Sequence, residues 1–202
     1  MRDFAVGASE TVEALRDRLQ IADVIQRYCR AVDRGDAELL ASVFWPGASI
    51  DHPPFEGTAE EFCQAALEFI ALCDVAMHTV TNIGIELQGD RAYSEAYFTG
   101  YHRLPKGLNG RGLIAEVLCP HHRDDIDEDH FVGGRYIKWF ERRDGEWRVF
   151  HHIGFREWER WEPAADRYPI PGMGRRDRSD PSYLRPEKGS TTADHRTREI
   201  AE

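Results

Sequence analysis

The spacing of apolar residues changes once along this chain, near Val75, and that change limits the folds open to it. From about Thr11 to Arg34, Val12, Leu15, Leu19, Ala22, Ile25, Cys29 and Val32 recur at three- and four-residue steps, the pattern of an amphipathic helix. Gly35 is placed to end it, and Asp36 to cap a second, short helix through Ala37, Leu39, Leu40 and Phe44. Trp45, Pro46 and Gly47 break the chain, and a short strand is expected at Ala48 to His52. Thr58 and Glu61 then form a capping box for a third helix reaching about Leu72. Beyond Val75 the period is two: Met77, Thr79, Thr81, Ile83, Ile85 and Leu87 fall on one side of a strand that Gly89 and Asp90 turn. A strand at about Arg91 to Arg103 is followed by a polar, glycine-bearing stretch up to His130. Asp144-Gly145 then joins the runs Phe131 to Arg142 and Trp147 to Trp158 as a hairpin. Helices gathered before antiparallel strands predict an α+β domain whose curved sheet folds over the helices.

The 202 residues suit one such domain with appendages, since domains usually run ~100 to 200 residues. The expected division is an N-terminal extension at 1–10, the domain at 11–162 and a tail at 163–202. The tail interleaves prolines and glycines with Arg175, Arg176 and Arg178 and shows no core periodicity. It is read as an extended segment, either mobile or laid over a neighbouring subunit. A net charge of −10 argues against nucleic acid as a partner. No apolar run approaches the ~18 to 20 residues of a membrane span, and Met1 to Glu10 lacks a signal-peptide profile. The expectation is a cytoplasmic chain with no membrane partner. Twenty-two aromatic residues (10 Phe, 5 Trp, 7 Tyr) are enough to line an apolar pocket.

Several residues stand out against these patterns. Four-residue steps from Ile25 through Cys29 reach Asp33, placing a carboxylate on the inward stripe at a helix C-terminus, where the helix dipole disfavours an anion and raises its basicity. Asp33 is either a partly buried base or, if the helix frays earlier, a solvated neighbour of Arg34. His78 shares strand parity with Val80, Asn82 and Gly84. It is either a hydrogen-bonded core residue or, paired with a carboxylate, a general base. His102 shares a face with Ala96, Phe98 and Gly100, and Arg156 with Gly154 and Trp158; each is a strand-end polar residue or a site residue. Tyr28 lies about 140° around the first helix from Asp33, as a core tyrosine or a phenolic donor.

Other signals fail. Asp125, Asp127 and Asp129 begin like a calcium loop, but His130 replaces the required glycine and Tyr136 the closing glutamate. The doublets His121/His122 and His151/His152 lack helical ligand spacing, and adjacent strand residues face opposite ways. His121, His122, His130 and His195 are assigned to loops or tail, so no metal site is expected. Cys29, Cys63, Cys73 and Cys119 form no CxxC pair, which indicates neither zinc nor a disulfide framework. Phosphate-binding, dinucleotide-binding and nucleophile-elbow motifs are missing.

The run Tyr28-Cys29-Arg30-Ala31-Val32-Asp33-Arg34-Gly35-Asp36, the segment Met77-His78, and Gly133-Gly134-Arg135-Tyr136 followed by Glu141 to Trp147 resemble the SnoaL-like proteins. The likeness covers about Val12 to Trp161. It implies the cone-shaped α+β barrel of nuclear transport factor 2, with N-terminal helices packed in a strongly curved, mainly antiparallel sheet. The family includes scytalone dehydratase, bile-acid 7α-dehydratase and hexachlorocyclohexane dehydrochlorinase. The resemblance implies an Asp/His dyad at Asp33 and His78 that removes a proton as a leaving group departs, without a cofactor. It matches Tyr28 and Arg156 to the tyrosine and arginine of bile-acid 7α-dehydratase. Gly100 stands where that enzyme has an aspartate, with His102 two residues on, and scytalone dehydratase uses a second histidine in this strand region.

The implied function is a lyase of the dehydratase type, or an isomerase, acting on a hydrophobic cyclic ketone or alcohol such as a steroid or polyketide. Polyketide cyclisation is an alternative. So is a non-catalytic ligand-binding or assembly role like that of a ring-hydroxylating dioxygenase small subunit. The family also implies a homo-oligomer, trimer or dimer, built on the outer sheet face.

Overall fold

In the computed structural model, residues 10–108, 113–165 and 172–183 are described. The chain divides into two units, Met1–Asp166 and Arg167–Glu202. Helix α1 (Val12–Arg34) begins where Thr11 Oγ1 accepts the Ala14 amide and ends at Gly35, whose φ of 60° is the left-handed value a helix C-terminus favours. Ile21, Val24, Ile25, Tyr28 and Val32 are its buried stripe. Asp36 caps α2 (Ala37–Ala41) by accepting the Leu39 amide, and Phe44 opens β1 (Phe44–His52) instead of closing α2. The short strand expected at Ala48 thus starts four residues earlier. A further strand, β2 (Phe55–Thr58), and helix α4 (Leu113–Leu118) were not expected; both are too short to carry a period. The capping box on α3 (Ala59–Leu72) is reciprocal, with Glu61 accepting from the Thr58 amide and Thr58 Oγ1 from the Glu61 amide.

Four long strands follow: β3 (Val75–Gln88), β4 (Arg91–Leu104), β5 (Glu128–Arg143) and β6 (Glu146–Pro163). The sheet runs β2-β1-β6-β5-β4-β3 and curls around the helices without closing into a barrel. All its pairings are antiparallel except β1 with β6. The core brings the α1 stripe and Phe62 and Ile70 of α3 against Phe98, Val132, Tyr136, Phe140 and Trp147. Trp147 is anchored by its indole N–H to Asp17, 2.9 Å away, and Arg142 donates to the same carboxylate at 3.1 Å.

Two irregularities correct the sequence reading. The β3–β4 register slips between Thr81 and Gly84, with Asn82 at φ 50°. Up to that bulge the even residues Ala76, His78 and Val80 face inward; beyond it Ile83, Ile85 and Leu87 do. Met77 is therefore exposed and does not share a face with Ile85. The β5–β6 register slips between Gly133 and Gly134, so Arg156 keeps the parity of Gly154, whereas Trp158 is turned out and exposed. His130 is not a loop residue: it lies on β5, paired with His102 of β4. The polar stretch before it hides the start of that strand.

In the second unit, Asp180 accepts the backbone amides of Arg175 and Ser182, just before a short 3-10 turn at Pro181–Tyr183. His195 lies outside the described residues. No described helix is long and apolar enough to cross a membrane.

Candidate active site

A cavity of about 230 Å3 opens between the helices and the inner face of the sheet. Phe62 and Phe69 of α3, Phe98 of β4, Val132 of β5 and Val117 and Leu118 of α4 give it a largely apolar wall. Polar groups enter at a few points, and all but one of the expected site residues are among them.

Asp33 sits in the last turn of α1 and His78 on β3. Asp33 Oδ1 lies 2.7 Å from His78 Nδ1, and Asp33 Oδ2 accepts the His78 backbone amide at 2.9 Å. One carboxylate therefore fixes both the ring and the strand that carries it. It is buried, with the His78 side chain 10% exposed, so Asp33 is turned inward, α1 does not fray before it, and His78 is paired with a carboxylate. Since the carboxylate takes the Nδ1 proton, Nε2 is the nitrogen left for the cavity, which His78 lines while Asp33 stands behind it.

His102 packs edge-on to His78, ring centroids 5.0 Å apart, and lies against Phe69 and His130. Its register partners are Ala76 and His130, and both histidines line the cavity. At Gly100 a Cβ would come within 3.2 Å of the His78 and His102 rings, so a side chain there would crowd both. Arg156 also lines the cavity and donates to Glu159 at 3.2 Å; Glu159 in turn is 3.3 Å from His130 Nε2. Burial lowers the His130 pKa against the opposing pull of Glu159.

Tyr28 lies deeper, edge-on to Phe44 and Tyr136. The two hydroxyls share a hydrogen bond, and burial holds both phenols well above their usual pKa. Tyr28 is thus a lasting hydrogen-bond donor and not a source of phenolate.

The sequence reading missed His52, Lys138 and His152. Lys138 Nζ is 3.0 Å from His152 Nδ1, His152 Nε2 is 3.2 Å from His52 Nδ1, and His52 lines the cavity. Lys138 and His152 have no exposed surface. The signal for Lys138 was its parity with Tyr136 and Phe140. His151 and His152 do point to opposite faces, His151 bonding to Ser49 outside. No group of three or more His, Cys, Asp or Glu among the described residues is placed to hold a metal ion, and none of the four cysteines is in a disulfide.

The model of the SnoaL-like domain matches residues 13–152. The chain belongs to the SnoaL-like family. No curated protein sequence matches it. Among solved structures, this SnoaL-like domain is similar to the hexachlorocyclohexane dehydrochlorinase LinA-type3 from Novosphingobium barchaimii, at 18% identity and TM-score 0.60, over 79% of this chain and 98% of that one. A candidate scytalone dehydratase from Novosphingobium aromaticivorans matches at 19% identity and TM-score 0.58, over 79% and 96%. A protein from Kribbella flavida matches at 19% identity and TM-score 0.59, over 73% and 95%. At these identities the likeness is one of fold, the cone of helices and curled sheet described above.

Proposed function

We propose that this SnoaL-like protein is a cofactor-independent lyase of the dehydratase type, or an isomerase, for a hydrophobic cyclic ketone or alcohol such as a steroid or polyketide. The observation that carries this reading is the 2.7 Å Asp33–His78 pair presenting Nε2 to an apolar, aromatic-lined cavity. Neutral His78 takes a carbon-bound proton on Nε2, and the imidazolium that forms is stabilised by the adjacent carboxylate. The carbon electron pair forms the new double bond, or an enolate whose oxygen Tyr28 and Arg156 stabilise by hydrogen bonding. His102 or His78 returns a proton to a departing hydroxide, which leaves as water. Phe62, Phe69 and Phe98 favour a ring-bearing, apolar substrate. The names of two structural neighbours, a dehydrochlorinase and a candidate dehydratase, denote eliminations, which supports the same class of reaction.

The test is turnover of a panel of hydroxylated steroids and polycyclic ketones, followed by mass spectrometry for loss of one water. Folded Asp33→Ala and His78→Ala variants should lose that turnover, and full retention in both defeats the mechanism. The same reading expects a trimer or dimer through the outer sheet face, where Met77, Tyr97 and Trp158 are exposed; light scattering reads the subunit number.

A further inference from the structure

Lys138 is an improbable core residue. It has no exposed surface, and among the described residues no carboxylate acts on its charge. Its ammonium lies 4.0 Å from the centre of the Tyr28 ring and 5.2 Å from that of Tyr136, so aromatic faces supply part of the lost hydration. Its hydrogen bond goes to His152, and His152 passes the contact to His52 at the cavity wall. The three residues come from β5, β6 and β1, which the register brings together: Lys138 faces His152, and Ile50 of β1 pairs with His152. Gly154, two residues on, leaves room for the His52 ring, which any Cβ there would overlap.

Donor and acceptor accounting gives this chain a direction. An ammonium only donates, so His152 Nδ1 accepts and its proton sits on Nε2. That proton is donated to His52 Nδ1, which puts the His52 proton on Nε2, the nitrogen left for the cavity. We infer that Lys138, His152 and His52 form a proton relay that delivers a proton from the buried lysine to a substrate oxygen at His52 Nε2. The inference rests on the eliminating role proposed for the Asp33–His78 cavity and puts His52 in place of His102 or His78 as the donor to the leaving group. As the C–O bond breaks, its electron pair leaves with oxygen, which takes the His52 Nε2 proton and departs as water. His52 Nδ1 takes the His152 Nε2 proton, and His152 Nδ1 takes one from Lys138. The lysine ends as a neutral amine and both rings as the opposite tautomer, with neither passing through a net charge. Reset needs one proton from water to return along the chain while His78 releases the one it abstracted. His52 is the catalytic residue here; His152 and Lys138 position and supply its proton.

The electrostatics agree with this division of labour. Burial brings the Lys138 pKa from 10.5 down to about 7, with the Cys29 and Cys63 thiols pulling the other way. His52 is lowered to about 3, by burial and then by Lys138, Arg156 and His78; His152 is held well below 6.5 by burial, Lys138 and His52. The other titratable groups packed around the chain are Tyr28, Tyr136, Asp33 and His151, the last of which also lowers His152, and burial pushes Cys29 up to about 12 and Cys63 to about 11. The lysine therefore releases a proton near neutrality, and the rings pass it without storing it.

Two measurements test the relay, one of them independent of turnover. In the full chain labelled with 15N-histidine, long-range 1H–15N spectra at pH 6 should show His52 and His152 as neutral Nε2–H tautomers. Lys138→Met removes the donor that faces His152 Nδ1 and should free the ring to place its proton there. A charged ring at pH 6, an Nδ1–H His52 in the unmodified protein, or identical spectra in the variant overturns the relay. If Lys138→Met does not fold, His52→Phe, which keeps a ring stacked on Phe62, replaces it: Lys138 still donates to Nδ1, so persistence of the Nε2–H tautomer at His152 supports the direction of the chain, and a switch to Nδ1–H opposes it. The kinetic arm compares a bicyclic β-hydroxy ketone with its β-chloro counterpart, whose chloride leaves without a proton. Lys138→Met and His52→Phe should slow the hydroxy substrate by about 100-fold or more and the chloro substrate by less than about threefold, with KM little changed. Equal losses on both substrates refute the relay. A His78→Ala variant that retains both activities refutes the eliminating role itself.

Discussion

Replacing Lys138 with methionine should change how stability depends on pH, by an amount the buried amine sets. The unfolded chain holds the lysine proton up to about 10.5, whereas the folded chain holds it only to about 7. Between those values the unfolded state binds more protons, so stability rises with pH across the window and falls as pH drops towards 7. At 1.36 kcal/mol per tenfold, the full window is worth about 5 kcal/mol. The part between pH 6 and pH 8.5 is worth about 2 kcal/mol. Methionine has a similar volume and no charge, so the variant lacks this slope. The assay is urea unfolding of both proteins at pH 6, 7, 7.75 and 8.5, read as the difference in unfolding free energy, in which the surface charges common to both cancel. His52 and His152 stay neutral throughout this range. The unmodified protein should gain about 2 kcal/mol on the variant from the lowest to the highest pH. A difference that is flat, or of opposite sign, would falsify the claim that Lys138 is buried with a depressed pKa.

Three other substitutions separate the parts of the molecule. Asp33→Asn leaves only one acceptor for two His78 N–H groups; turnover should fall by about 100- to 10,000-fold with the circular dichroism spectrum retained, and unchanged kcat would count against the dyad. Gly154→Ala drives a methyl group into the His52 ring and should cost roughly 1 to 3 kcal/mol by thermal unfolding, together with a shift of the His52 imidazole resonances. Asp17→Ala strands the buried Trp147 indole N–H and leaves the Arg142 guanidinium with Asp90 alone, and should cost roughly 1 to 3 kcal/mol in urea while leaving the catalytic pH profile in place.

The features legible in the sequence were those set by local chemistry. Thr11, Gly35, Asp36 and the Thr58–Glu61 box mark the helix ends where the structure has them, because each satisfies orphan backbone groups within a few residues. Asp33 and His78 were visible as polar residues on apolar stripes. What escaped depends on partners far along the chain. The slip at Asn82 cannot be read from alternation, because the pattern stays regular while the strand turns over. His130 was hidden behind a charged stretch that pairs with Arg103 and His122, through Asp129 and Glu128. Lys138, His152 and His52 each look ordinary alone, and only the pairing of β1, β6 and β5 makes them neighbours.

The bulge at Asn82 also divides β3 into two stretches whose side chains can vary separately. His78 reaches the cavity from the first stretch, between Ala76 and Val80, while the second, Ile83 to Leu87, only packs in the core. A one-residue irregularity between them absorbs changes of twist or register. The surroundings of His78 can then be altered at one end of the strand while the packing at the other end is left untouched.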